Sequence, residues 1–272
     1  MIYFLSDAHI GSRALPDRQE HEREVCALLR RLAADAAQLY LLGDIFDFWY
    51  EFAFGDEEEY SLTLDTLRDI TRSGVEVHFF TGNHDLWTFG RLARRTGVIV
   101  HTGPAVAVLN GRRCFLAHGD GLVPSDMHKR YPKHVRRKIR RFMRLRRVFH
   151  NPVLQHLFRL MPPVWGNAFG YGWAKKSRLK ELAHPAAYKG EREEELVLFA
   201  KEMERKEHFD YYIFGHRHIE LDLELAAVHQ GGPAARVLVL GDLFRQWTYA
   251  AMDDDGRLAL LNAEHGEDNL MD

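Results

Sequence analysis

Leu41-Leu42-Gly43-Asp44-Ile45-Phe46-Asp47 is the stretch whose reading decides the fold. An apolar run, Leu39 to Leu42, stops at a glycine and an aspartate. A buried strand ending this way delivers a carboxylate to the carboxyl edge of a sheet, where open α/β folds place their ligands. Gly43 lets the backbone turn close to whatever Asp44 holds. One Gly-Asp after a strand most often means a turn, but here the grammar recurs four more times. Ile2–Ser6 runs into Asp7-Ala8-His9, and Val75–Thr81 into Gly82-Asn83-His84-Asp85. Arg113–Ala117 runs into His118-Gly119-Asp120, and Tyr211–Phe214 into Gly215-His216-Arg217-His218. Five apolar strands thus end in Asp, Asn or His, a set of hard and borderline ligands without a thiolate. Such a set suits two divalent cations of the Mn²⁺, Fe²⁺ or Zn²⁺ kind.

Taken singly, each group has a plainer reading. Asp7 and His9 can face one cation only where the backbone departs from regular extension, Asp44 and Asn83 are common turn residues, and most of the 16 histidines must be core or surface residues. The joint spacing decides. His9 to Asp44, Asp44 to Asn83 and Asn83 to His118 are 35, 39 and 35 residues apart, each about one strand–helix–strand crossover. The step from His118 to His216 is 98 residues and contains an insertion.

In chain order, residues 1–6 read as a buried strand and Pro16–Ala34 as a helix, with Val25, Leu28, Leu29 and Leu32 at helical spacing. Phe46, Phe48, Trp49, Tyr50, Phe52 and Phe54 crowd the next loop, as a hydrophobic loop under the sheet or as a wall of a substrate cleft. Asp56–Arg72 is a second helix, Val75–Thr81 a third strand and Leu86–Thr96 a third helix. From Val98 the alternation gives way to short strands, 98–101, 105–109 and 113–117, with Asn110-Gly111 closing a hairpin. Further strands follow at 211–214, 236–240, 247–252 and 258–261, and 264–272 reads as a frayed acidic tail. Alternation first and hairpins later predict an α/β fold of two packed sheets with helices outside. The 272 residues accommodate one domain plus the insertion, placed at about 123–190. Cys26 and Cys114 imply no disulfide framework and a reducing compartment. The N-terminus lacks the basic flank and cleavage site of a signal peptide, and no apolar run is long enough for a bilayer span, so a cytoplasmic protein is expected.

The net charge of −2 is uninformative, but its distribution is not. Met127–Lys180 holds sixteen Lys and Arg and no Asp or Glu. Val135, Ile139, Phe142, Met143 and Phe149 fall roughly on one helical face among arginines, and a second apolar cluster, Val153 to Met161, ends at Pro162-Pro163. A basic amphipathic segment can meet nucleic acid, an anionic membrane surface or a phosphorylated lipid. It can also be a solvated helix packed on the domain, although such faces usually mix both charge signs.

The five blocks, in this order, resemble the calcineurin-like metallophosphoesterase superfamily. Within it, Leu42-Gly43-Asp44-Ile45-Phe46-Asp47-Phe48-Trp49, and His118-Gly119-Asp120-Gly121-Leu122 followed by a helical insertion, resemble the UDP-2,3-diacylglucosamine hydrolases of lipid A biosynthesis. The resemblance covers nearly the whole chain and is weakest over 130–210. It implies a sandwich fold with a helical cap, and two divalent metal ions, Mn²⁺ in the first place. It also implies hydrolysis of the substrate pyrophosphate to UMP and a diacylglucosamine 1-phosphate. Carried over by position, Asp7, His9, Asp44 and His218 hold one metal, and Asp44, Asn83, His118 and His216 the other, with Asp44 bridging. Asn83 and His84 then meet the charge on phosphorus together with His216, and Asp126, Ser177 and Lys180 are substrate contacts from the insertion. Many relatives carry Arg where this chain has His84; a His there resembles the wider superfamily, in which it is a general acid, and Asp85 is its expected orienter. The implied partners are a UDP-linked acylated glucosamine and the cytoplasmic face of the inner membrane, with no stable nucleic-acid partner. The alternative is another metallophosphoesterase, acting on a nucleotide or a nucleic-acid phosphodiester.

Overall fold

The computed structural model describes residues 1–53, 59–126, 132–227 and 233–263. Two sheets pack face to face with helices on both outer sides. The first sheet contains β1 (Ile2–Leu5), β2 (Gln38–Leu42), β3 (Glu76–Phe80), β4 (Ile99–His101), β10 (Thr248–Met252) and β11 (Leu258–Asn262), in the order β11-β10-β1-β2-β3-β4. The second contains β5 (Ala105–Leu109), β6 (Arg112–Ala117), β7 (Tyr211–Phe214), β8 (Glu220–Leu225) and β9 (Ala235–Leu240), in the order β5-β6-β7-β9-β8. Strands β1 to β4 are mutually parallel, as are β6, β7 and β9, while β10 and β5 join antiparallel.

Strands β1 and β7 read as unbroken apolar runs, and β2, β3 and β6 are apolar at their carboxyl ends, because both faces are buried there. Ile2, Phe4, Tyr40, Leu42 and Phe80 meet Leu116, Ile213, Leu238 and Leu240 between the sheets. Tyr3, Leu5, Leu39, Leu41 and Phe79 face outward onto α1 (Arg18–Ala33) and α2 (Ser61–Arg72). Phe115, Tyr212 and Phe214 do the same under α7 (Glu195–Glu204). A fully buried Leu or Phe contributes about 1.5–3 kcal/mol, so slipping any such strand by one residue has no favourable alternative.

Several boundaries depart from expectation. Helix α2 begins at Ser61 rather than Asp56: Glu59 and Tyr60 form a turn, with the Tyr60 hydroxyl donating to the Phe48 carbonyl, and residues 54–58 lie outside the described residues. The third helix, α3, covers only Arg91–Thr96. Leu86–Gly90 is instead drawn along the loop after β2, where Trp87 pairs with Tyr50, and the buried Glu51 carboxylate accepts from the N–H groups of Phe89, Arg91 and Leu92. Strand β4 extends the first sheet in parallel with β3, so the βαβ plan runs past Val98. Strand β8 and helix α7 were not expected. The hairpin holds: Asn110 and Gly111 have φ of 44° and 76°, as a type I′ turn requires. The expected tail, 264–272, lies outside the described residues.

Three helices, α4 (Lys133–Phe149), α5 (Pro152–Arg159) and α6 (Pro163–Ala183), form the basic segment. The aromatic loop divides between two tasks. Phe46 and Trp49 enter the core beneath the first sheet, while Phe48, Tyr50 and Phe52 form a separate cluster with Tyr171 of α6. Gly166 and Gly170 make that contact possible, since a Cβ at either would come within 2.3 Å and 2.2 Å of the Phe52 and Phe48 rings. Phe54 lies outside the described residues.

Candidate metal centre

Five of the seven described non-glycine residues with positive φ are Asp7, His9, Asp44, His216 and His218. A left-handed backbone at aspartate and histidine costs energy, and it clusters where function over-determines the chain. Here it supplies the irregular geometry that Asp7-x-His9 needs to aim two side chains at one point. Neighbouring loops hold each bend: Asp7 N–H donates to the Gly43 carbonyl and His9 N–H to the Asp44 carbonyl, both at 3.0 Å. The buried Asp85 carboxylate accepts from the N–H groups of Gly82, Asp44, Ile45 and Phe46 at 2.7 to 3.3 Å, tying the loops after β2 and β3 together.

The expected ligands converge in two adjacent groups. Asp7, His9 and His218 bring ligand atoms within 4.8 Å of one another, and so do Asp44, His118 and His216. Asp44 Oδ2 lies 3.8 Å from His9 Nε2 and 3.4 Å from His118 Nε2, between the two groups. His118 Nδ1 donates to the Leu42 carbonyl at 2.9 Å, leaving Nε2 as the lone-pair nitrogen on the inner side. The chemistry fits a metal pair: Asp7 Oδ1, Asn83 Oδ1 and His118 Nε2 are buried without a hydrogen-bond partner, the kind of orphan atoms that a bound cation satisfies. Charge balance points the same way. Burial alone would raise the Asp44 carboxyl, but His118 and His84 hold it well below the usual carboxylate range. Burial opposes a charge on His118, yet Asp44 holds its pKa up to about 10: without a cation, a proton on Nε2 balances the buried carboxylate at the place a metal would fill.

His84 is buried, and burial pushes its pKa down to about 4. Its expected orienter is corrected by the structure. Asp85 is committed to backbone N–H groups, and His84 Nδ1 instead meets the Asp47 carbonyl at 2.7 Å. A cavity of about 270 Å³ opens over this edge, lined by Asp44, Asn83, His84, His216 and His218 from the sandwich and by Ser177 and Lys180 from α6. Asp126, on the loop after β6, is not among the residues lining that cavity.

Four further residues lie near the ligands: Asp47, which belongs to the Gly43-Asp44-x-x-Asp47 block, and Asp242, Arg178 and Glu181, which were not expected. Asp47 Oδ1 lies 3.4 Å from His9 Nδ1. Asp242 Oδ2 lies 3.6 Å from His218 Nδ1, and its signal was present: Val237–Leu240 followed by Gly241-Asp242 repeats the strand-end grammar. Arg178, 2% exposed, and Glu181 reach the same edge from α6, and helical spacing alone carries no sign of which turn docks. A second cavity, about 240 Å³, adjoins the first at His216 and Arg217 and is walled by Leu122, Val123, Leu196 and, from α4, Ile139 and Phe142.

Residues 1–220 match the family model described as calcineurin-like phosphoesterase. A UDP-2,3-diacylglucosamine hydrolase of Porphyromonas gingivalis is 35% identical over 93% of this chain and 94% of that protein. A UDP-2,3-diacylglucosamine hydrolase of Neisseria meningitidis is 28% identical over 93% and 95%, and one of Haemophilus influenzae 28% over 95% and 98%.

Proposed function

The chain belongs to the calcineurin-like phosphoesterase family and is a metal-dependent hydrolase, and on that premise we propose that it cleaves the pyrophosphate of UDP-2,3-diacylglucosamine to UMP and 2,3-diacylglucosamine 1-phosphate. One observation carries this reading: the polar cavity over the ligands and the apolar cavity against α4 share His216 and Arg217. A substrate with a charged phosphate centre beside an acyl chain matches that juxtaposition, and a bare nucleotide leaves the apolar half unused. The three full-length relatives are named for the same substrate.

In this reading Asp7, His9, Asp44 and His218 hold one divalent ion, and Asp44, Asn83, His118 and His216 the other, with Mn²⁺ as the native metal. Bound metals of this kind supply a nucleophile at neutral pH and neutralise charge on the phosphate oxygens. Asn83 and His84 meet the charge that develops on phosphorus, and His216, Ser177, Lys180 and Asp126 contact substrate. A pyrophosphate leaves as a phosphate, which needs little protonation, so a neutral His84 is compatible with turnover. The segment 123–190 acts as a cap whose basic and apolar surface meets the cytoplasmic face of the inner membrane; among the described residues no helix is long and apolar enough to cross one. The test is incubation of the Mn²⁺-loaded protein with UDP-2,3-diacylglucosamine, its deacylated counterpart and single-stranded DNA. Release of UMP from the acylated compound, with little from the other two, is expected. Efficient DNA cleavage without preference for the acylated sugar would overturn the reading and favour a nuclease.

A further inference from the structure

The two metal-ligating groups differ in what holds their histidines. In the group at Asp44, the sandwich's own backbone fixes His118, through the Leu42 carbonyl. In the other group, His218 turns Nε2 toward Asp7 Oδ1 at 3.1 Å, so the opposite nitrogen, Nδ1, faces outward. An imidazole that offers Nε2 to a cation carries its proton on Nδ1, and that proton needs an acceptor. The nearest is Glu181 Oε1 at 2.7 Å, ahead of Asp242 Oδ2 at 3.6 Å. Neither Glu181 Oε1 nor His218 Nδ1 makes a hydrogen bond to any third group among the described residues, so the 2.7 Å approach is the pairing open to both. The other carboxylate oxygen takes the guanidinium of Arg178, one helical turn back. Arg178 in turn lies against the His9 ring, with Nη2 at 2.9 and 2.8 Å from its nitrogens, and its Nε is 3.7 Å from Asp47 Oδ1. Both side chains belong to α6 of the insertion, not to the sandwich.

We propose that Glu181 is a positioning residue for the metal held by Asp7, His9 and His218, so that the insertion completes the outer shell of one metal and leaves the other to the sandwich. The two sites then differ in kind: the affinity of one depends on the seating of α6, and that of the other does not. A pair of cap side chains that fixes His218 also aligns the neighbouring Ser177 and Lys180 with the metal edge, since all four share two turns of one helix. The inference rests on the family's metal centre and not on the identity of the substrate, and its readout is metal binding, so it fails separately from the substrate assignment.

The experiment strips the full-length protein with a chelator and titrates it with Mn²⁺ by calorimetry, with metal content checked after dialysis. The unmodified protein is expected to bind two ions. In Glu181→Leu one dissociation constant should rise about 10- to 100-fold, the usual cost of losing an outer-shell partner, with the other unchanged. Glu181→Asp should recover part of the loss. Unaltered constants for both ions in the folded Leu variant would overturn the proposal, as would equal weakening of both sites. If the Leu variant does not fold, Glu181→Ala decides: a loss confined to one ion supports the proposal, and two unaltered ions overturn it.

Discussion

Each ligand-bearing loop of the sandwich leaves a strand buried on both faces, whereas α4 of the insertion buries no side chain at all. In the sandwich, position follows from packing: β1, β2 and β3 cannot slip, and Asp85 with its four backbone donors locks the loops that follow. The insertion is held at points. Phe48, Tyr50 and Phe52 seat α6, the Trp87 indole donates to the Phe149 carbonyl, Arg146 meets Asp120, and Arg178 with Glu181 reaches the ligands. The rest of its surface leaves large apolar residues in solvent, among them Val153, Leu157, Leu160, Val164 and Trp165. A tightly packed frame carries the ligand edge, and a helical layer with few buried side chains lies over it. Regions held by few buried contacts are the ones that open locally.

The contrast is sharpest at Asp44, where the sandwich should tolerate no change of charge. Its Oδ1 accepts from the His84 N–H at 2.8 Å, and its Oδ2 lies between the two ligand groups. Asp44→Asn is expected to keep the fold, lose at least one Mn²⁺ and drop turnover by about three orders of magnitude, since metal-borne charge stabilisation is worth several kcal/mol. Metal content and turnover are measured on the same sample; full occupancy with normal turnover would falsify the bridging role.

His84 sits on the same edge but should matter less for the proposed substrate. His84→Ala is expected to slow an alkyl phosphodiester by about a hundredfold, within the range ascribed to a positioned acid, and a UDP-sugar pyrophosphate by far less. Equal losses on both substrates would point to charge stabilisation in place of proton donation. The Asp47 carbonyl takes the Nδ1 proton and burial keeps the ring neutral, so proton donation from Nε2 requires the anionic phosphate of the bound substrate to draw a second proton onto His84.

How much of this was legible follows from the same contrast. The ligand set could be read because each member follows a strand whose carboxyl-terminal residues are apolar and buried. Asp242 obeys the same rule, since Val237–Leu240 ends in Gly241-Asp242 as Leu39–Leu42 ends in Gly43-Asp44. The insertion was recognisable by charge but not by pose. Phe158 looked equivalent to its neighbours Leu154 and Leu157, yet it packs on Tyr50 and Trp87 while Leu157 is 60% exposed. Nothing local distinguishes them, because the deciding partners are distant in sequence: Tyr50 and Trp87 for Phe158, His9 for Arg178 and His218 for Glu181. The missing turns of the third helix have a tertiary cause as well: Glu51 claims the amides that would have continued it.

If the insertion is held at points, removing one should loosen it while leaving the frame intact. Gly170→Ala places a methyl carbon about 2.2 Å from the Phe48 ring, closer than any real contact. Overpacking of this kind costs about 1–3 kcal/mol. The expected result is faster proteolytic nicking within 132–190, retained Mn²⁺ at the sandwich-held site and an unshifted main melting transition. A single cooperative loss of both regions would show that the insertion and the sandwich are one folding unit and dissolve the contrast.

The smallest expected effect concerns the exposed apolar face, and it asks what that face is for. Leu157, Val164 and Trp165 are 60%, 77% and 69% exposed, so replacing all three by Ser should not disturb folding, which Phe158→Ser would. Their surroundings are basic: α4 alone carries Arg136, Arg137, Arg140, Arg141, Arg144, Arg146 and Arg147. Charge and apolar area make different predictions with salt. Attraction of basic residues to an anionic surface weakens as salt rises, because screening shortens its reach to about 8 Å at physiological ionic strength. Apolar insertion does not weaken this way. At physiological salt the triple variant should therefore bind vesicles of anionic lipid roughly tenfold more weakly, given that a buried methylene contributes about 0.8 kcal/mol and that these side chains enter the interface only in part. Turnover of a small chromogenic phosphodiester should be unaffected, since none of the three lines the cavity over the ligands. Vesicle binding that vanishes with salt in the unmodified protein, and is identical in the variant, would assign the surface to charge alone and leave the apolar face without a membrane role.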